Sequence, residues 1–133
     1  MPKINKIKQT VSFSVDPITV YEALMDSKKH SKFTGDKASV SQKVGGKFSA
    51  FGGYAQGKNL ELVLGKKIVQ TWRASDWPED FWSTTTYEFK KAGKGTKLTF
   101  TQVNIPTDQM KSIKKGWVDY YWTPMKEMFK ENK

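Results

Sequence analysis

Apolar and polar positions alternate along the first segment of the chain. Ile7, Val11, Phe13 and Val15 share one parity and Thr10, Ser12 and Ser14 the other, the period of a half-buried β-strand. The strand stops at Asp16-Pro17, an N-cap residue followed by proline at the first helical position. Val20, Tyr21, Leu24 and Met25 then share one helical face and predict a short helix to about Met25. Ser27 is placed to cap a second short helix that ends near Thr34-Gly35, with Phe33 as its buried anchor. From Ala38 the period returns to two. Ala38 and Val40 begin a short strand, and Lys47 to Phe51 form another between the glycine pairs Gly45-Gly46 and Gly52-Gly53. Gln56 to Leu64 carries Leu60, Leu62 and Leu64 on one face, and Ile68 to Arg73 follows a turn at Gly65-Lys66-Lys67. The Ala74 to Asp80 segment, with Trp77-Pro78 in it, breaks the pattern. Phe81 to Lys90 and Thr96 to Val103 flank Lys91 to Gly95, which predicts a hairpin with a five-residue connection.

Pro106 ends the last strand, and Thr107 or Asp108 can cap a helix running to about Asn132. Met110, Ile113, Trp117, Tyr121, Pro124 and Met128 recur every three or four residues, with Tyr120, Met125 and Phe129 alongside. Pro124 has no N–H for the carbonyl of Tyr120, a loss of about 3 kcal/mol in a helix interior, so the helix bends or begins a second segment there. One strand, two short helices, a meander and a long helix make an α+β chain. The reading is a single domain over residues 1–133, in which a curved antiparallel sheet of about six to seven strands has its apolar face covered by the last helix.

Strand parity sends Val11, Phe13, Phe48, Ala50, Leu60, Leu62, Ile68, Trp72, Tyr87, Phe89, Leu98 and Phe100 inward. Four polar residues share that parity: Gln70, Ser83, Thr85 and Gln102. Buried amides and hydroxyls need partners, and two readings stay open. Either these residues sit near strand ends in partial contact with water, or they are the sparse polar anchors of an apolar pocket walled by Trp72, Trp117 and Tyr121. The same three aromatics serve equally as core packing. Trp77-Pro78, with Trp82 on the outward parity of its strand, forms either a loop tucked against the sheet edge or an exposed aromatic rim of the kind partners use.

The inventory narrows the chemistry. There is no cysteine, which removes disulfides, thiolate metal sites and a thiol nucleophile. His30 is the only histidine and lies in Lys28-Lys29-His30-Ser31-Lys32, where it reads as a surface residue. A triad and a metal site built from histidines are excluded, and neither a metal nor a cofactor is expected. Paired carboxylates remain possible in principle, and Asp76, Glu79 and Asp80 cluster in the Trp77-Pro78 loop, but nothing in the sequence places a substrate pocket beside them. The glycine pairs do not lead from a strand into a helix, as a phosphate-cradling loop must. A binding protein is expected rather than an enzyme. No apolar stretch approaches the roughly 18 residues of a membrane span, and Met1 to Lys6 lacks a signal-peptide core, so the cytoplasm is the expected compartment. The formal charge of +10 points towards nucleic acid, but Arg73 is the one arginine among 23 basic residues. Lysine acts as a point charge rather than a base-reading fork, and these lysines are spread along the whole chain.

Four motifs in order carry a family resemblance: Gly45-Gly46-Lys47-Phe48, the strand Lys66-Lys67-Ile68-Val69-Gln70-Thr71-Trp72-Arg73, Trp77-Pro78, and Gly116-Trp117-Val118-Asp119-Tyr120-Tyr121-Trp122. Together they resemble the C-terminal domain of the activator of the 90-kDa heat-shock chaperone ATPase. That domain is similar in fold to the START-like (SRPBCC, birch-pollen-allergen) helix-grip superfamily. The resemblance implies a helix-grip fold and a chaperone of the heat-shock protein 90 type as partner, met at the Trp77-Pro78 rim. The superfamily likeness implies a second role, carriage or sensing of a small hydrophobic ligand between sheet and helix. Weak nucleic-acid binding through the basic surface is the third alternative and rests on charge alone.

Overall fold

The computed structural model describes residues 5–131, and the predicted helix end at Asn132 lies outside the described residues. Strands β1 (Lys6–Phe13), β2 (Ser39–Val40), β3 (Lys47–Ala50), β4 (Ala55–Val63), β5 (Lys67–Ala74), β6 (Ser83–Ala92) and β7 (Gly95–Val103) form one antiparallel sheet. Its order is β1-β7-β6-β5-β4-β3-β2. Short links make β2 to β7 a meander, and β1 closes on the free edge of β7 with Val11 opposite Leu98. Because β1 and β2 then lie at opposite edges, the chain must cross the whole sheet between them. Helices α1 (Pro17–Met25) and α2 (Ser27–Thr34) make that crossing. A C-terminal helical arm covers the apolar face. It comprises a 3-10 turn (Thr107–Gln109), α3 (Met110–Trp117), a π-helical turn (Val118–Trp122) and α4 (Thr123–Glu131). The helix-grip architecture is the one the sequence predicts.

The core forms where the arm meets the sheet. Ile68, Tyr87, Leu98 and Phe100 meet Trp117, Tyr121, Trp122 and Met125, and the rings of Phe100 and Trp117 approach to 4.4 Å between centroids. Each such side chain contributes about 1.5–3 kcal/mol of burial before conformational entropy is counted.

Four local features depart from the expected pattern. Ala92 pairs with Gly95, so the β6–β7 connection is the two-residue turn Gly93-Lys94 rather than five residues. Gly93 supplies the positive φ, 59°, that such a turn needs. In β4 the register slips between Asn59, opposite Gln70, and Glu61, opposite Val69. Leu60 is the extra residue of this bulge and is 48% exposed instead of facing inward, while Asn59 takes the buried position. The cap of α2 is Asp26, whose carboxylate accepts the Lys29 N–H at 3.0 Å. Ser27 instead accepts the N–H of Val40 at 2.8 Å and ties α2 to β2.

The fourth departure is in the arm. The second helical segment expected at Pro124 does begin there, at Thr123, but it follows a π turn that the spacing did not predict, in which the Thr123 N–H donates to Val118 O. The wider turn rotates the apolar face, so that Tyr121 and Trp122 are both buried and Tyr120, expected beside the apolar stripe, is 57% exposed.

Candidate functional site

The inward polar residues are fully buried and bonded to one another in two ladders that run across the sheet. In the first, the Trp117 indole N–H donates to Gln102 Oε1 at 2.7 Å, and Gln102 Nε2 donates to Ser83 Oγ at 2.9 Å. The Ser83 hydroxyl donates in turn to Trp72 O at 2.6 Å. In the second, the Thr85 hydroxyl donates to Gln70 O at 3.3 Å and Gln70 Nε2 to Asn59 Oδ1 at 3.0 Å. Asn59 Nδ2 then holds the carbonyls of Ser41 and Lys43 at 2.7 and 3.0 Å. Buried polar groups satisfied in this way fix register and orientation at little cost. What empty space remains beside Gln70, His30, Tyr87 and Tyr121 is about 10 Å³, which is at the threshold for a single water. Trp117 and Tyr121, 4.5 Å apart, fill the grip.

His30 is not a surface residue: it is 5% exposed. The Leu24 carbonyl, 3.0 Å from Nδ1, can only accept, so Nδ1 carries the proton and Nε2 accepts the Tyr121 hydroxyl at 2.8 Å. Its ring stacks on Phe33 at 4.9 Å. Burial pushes the imidazole below its ordinary 6.5, partly opposed by the bond to Leu24, and desolvation raises the Tyr121 phenol. The sequence held the signal. His30 and Phe33 lie three residues apart on one helical face, while Lys28 and Lys32 occupy the other.

Outside this filled interior the arm and the sheet edge part to form a groove of about 580 Å³. Its walls include Trp72, Trp117 and Tyr121, together with Phe51, Tyr54 and Tyr120. Phe51 has φ 55°, and Gly52 and Gly53 follow at 65° and 105°, so three successive residues lie in the left-handed region. For a phenylalanine that conformation costs on the order of 1–3 kcal/mol. The Phe51 ring meets Tyr120 and Tyr121 edge-on at 5.7 and 5.8 Å, against the π turn. Under the groove the Trp72 indole N–H is buried with no hydrogen-bond partner among the described residues. The charged side chains in the described walls, Lys115 and Asp119, pair with each other at 2.6 Å.

The loop after β5 divides the predicted partner surface. Trp77 is 4% exposed, packed edge-on against Trp72 at 5.3 Å and Phe81 at 5.9 Å, so it is core and not rim. Pro78 is exposed and Trp82 is 39% exposed. Arg73 holds the loop in place. Its Nη2 donates to the carbonyls of Trp77 and Pro78 at 2.9 and 3.1 Å, and its guanidinium lies 5.6 Å from the centre of the Trp82 ring. Sequence reasoning also missed Gln9. It accepts the Trp122 indole N–H at 2.7 Å and donates to Lys114 O at 3.1 Å, clamping the arm to β1 ahead of the π turn and at its last residue. Among the described residues no helix is long and apolar enough to cross a membrane.

Residues 14–130 match the family described as "Activator of Hsp90 ATPase homolog 1-like protein". The chain is 34% identical over 117 residues to the activator of 90 kDa heat shock protein ATPase homolog of Dictyostelium discoideum, covering 87% of this chain and 30% of that protein. It is 30% identical over 124 residues to the human activator homolog 1, covering 93% of this chain and 37% of that protein. The chain thus spans about a third of the length of these relatives. The crystal structure of an HSP90 activator from Plasmodium falciparum superposes with a TM-score of 0.89 at 31% identity, over 93% of this chain and 95% of that one.

Proposed function

The chain belongs to the activator of Hsp90 ATPase homolog 1-like family, and from that premise we propose that it binds a chaperone of the heat-shock protein 90 type and stimulates its ATPase. The observation that carries this reading is the match along nearly the whole domain to proteins named for that activity. The chain works by binding, and the chaperone supplies the catalytic groups. We place the contact surface at the Pro78–Trp82 segment. Trp82 stands half-exposed with Arg73 against its face, and Arg73 fixes the loop carbonyls, so a large aromatic is presented with little further ordering to do.

The test is chaperone ATPase activity titrated with the purified chain, alongside direct binding by calorimetry. Saturable binding with stimulation is expected, and Trp82→Ala is expected to raise the half-saturating concentration by about tenfold or more. Absence of both binding and stimulation at high micromolar concentration would overturn the reading. Stimulation that is indifferent to Trp82→Ala would move the surface elsewhere.

A further inference from the structure

Lysines that are spread along the sequence converge once the sheet forms. The sheet face turned away from the helical arm carries Lys6 and Lys8 of β1, Lys47 of β3, Lys58 of β4, Lys90 of β6 and Lys97 of β7, all exposed. We infer that this outer face docks double-stranded RNA through its sugar–phosphate backbone, without reading the bases. The inference does not rest on the chaperone contact around Trp82.

Charge complementarity sets the class of partner. None of these lysines forms an ion pair among the described residues. The carboxylates that the strands place on the same face are Glu61, taken by Lys67 at 3.5 Å, and Glu88. Two pairs of lysines stand directly opposite each other across the ladder, Lys90 with Lys97 and Lys47 with Lys58. Like charges so placed repel and destabilise a sheet. Lysines often guard a free sheet edge, but β6 and β7 are inner strands, so that role does not account for Lys90 and Lys97. A polyanion laid over the face turns both repulsions into attraction.

Between the lysines lies a field of hydroxyls. Lys8 faces Thr101 and through it Thr86, Thr10 faces Thr99, and Thr84 faces Thr71. A hydroxyl both donates and accepts, so it suits phosphate oxygens and ribose 2′-hydroxyls alike. The exposed large hydrophobics of the described residues all lie off β1, β5, β6 and β7. A protein partner is disfavoured on that ground, because protein interfaces centre on aromatic anchors and are depleted in lysine. A single strand is disfavoured too, because it binds by stacking its bases on aromatic rings. A duplex keeps its bases stacked and offers its backbone. The A-form minor groove is wide, shallow and lined with 2′-hydroxyls, which a broad hydroxyl-bearing face can meet. The minor groove of B-DNA is only about 6 Å wide, and its major groove admits a helix or a two-stranded ribbon. Lysine point charges match backbone contact, where base reading favours the arginine fork.

Fluorescence anisotropy with a labelled RNA duplex of about 20 base pairs tests the inference. Saturable binding is expected at 50 mM salt, with affinity falling about a hundred- to a thousandfold by 200 mM, as a handful of phosphate contacts requires. Lys90→Gln with Lys97→Gln should bind about tenfold more weakly and with a flatter salt dependence. Its denaturant midpoint should not fall, since a repelling pair is gone, so weaker binding is not misfolding. Lys6→Gln with Lys8→Gln should weaken binding likewise. Lys28→Gln with Lys32→Gln removes the same charge from α2, which packs against the arm, and should stay within about twofold of wild type. Duplex DNA of the same sequence should bind about fivefold more weakly or worse, and polyglutamate should compete poorly. The inference is overturned if RNA does not saturate at 50 mM salt, or if the sheet-face and α2 variants lose equally. It is also overturned if DNA binds as tightly as RNA, or if polyglutamate competes as well as unlabelled duplex, which would assign the face to an acidic protein segment.

Discussion

The indole N–H of Trp117, in the covering helix, donates to Oε1 of Gln102 in β7 at 2.7 Å with both side chains buried. This bond fixes which face of the arm meets the sheet, because an indole turned any other way would be buried without an acceptor. Gln102→Leu keeps the volume but orphans that N–H and the far end of the ladder at Ser83. A loss of about 1–3 kcal/mol is expected, read as a lower denaturant midpoint at unchanged slope. In the double variant Gln102→Leu with Trp117→Phe, part of the loss should return, since no donor is then left unpaired.

His30 makes stability depend on pH. Its folded pKa lies below the unfolded value of 6.5, so between the two the unfolded chain binds more protons and folding weakens as pH falls. Above 6.5 the residue contributes no slope. His30→Gln can keep a donor for Leu24 and an acceptor for Tyr121, and should remove the part of the decline that starts just below 6.5. Carboxylate titration at lower pH should remain. The folded pKa itself is open to measurement, because the single histidine gives one imidazole resonance.

Arg73 is the one arginine in the chain, and the structure gives it work that lysine cannot do. A single ammonium cannot span the carbonyls of Trp77, Pro78 and Phe81 that the guanidinium reaches. Arg73→Lys should cost about 1–2 kcal/mol and speed amide exchange in residues 75–82 more than in the sheet.

At the β4 bulge neighbouring positions should respond oppositely. Leu60→Ser alters an exposed side chain and should change stability by no more than about 0.5 kcal/mol. Asn59→Leu removes the partner of Gln70 and of the Ser41 and Lys43 carbonyls, and should cost about 2–4 kcal/mol. Greater sensitivity at Leu60 than at Asn59, measured by denaturant midpoint, would mean that β4 pairs with β5 in an unbulged register.

The order of elements was legible because each is encoded locally. Period-two stretches, the Asp16-Pro17 start of α1 and the spacing from Met110 to Met128 are repeats a few residues long. Parity alone placed Gln70, Ser83, Thr85 and Gln102 inside, and all four are buried. Parity could not foresee the bulge at Leu60, which arises because Asn59 is held by Gln70 and by carbonyls of a loop some 16 to 18 residues away. The burial of His30 escaped it for the same reason, since the hydroxyl partner lies 91 residues further on.

The helix gripped by the sheet was therefore determined by sequence, through an apolar stripe that only a sheet of this size could cover. What the grip encloses was decided by tertiary structure. The π turn brings Tyr121 and Trp122 inward together and fills the interior, and the space that remains lies outside it, between Phe51 and Tyr120. Side-chain identity sets how much volume must be packed, but whether the packing closes depends on the angle and rotation at which distant elements meet. No local pattern encodes that rotation. It is fixed by buried hydrogen bonds such as that of Trp117 to Gln102 and the two that Gln9 makes to the arm.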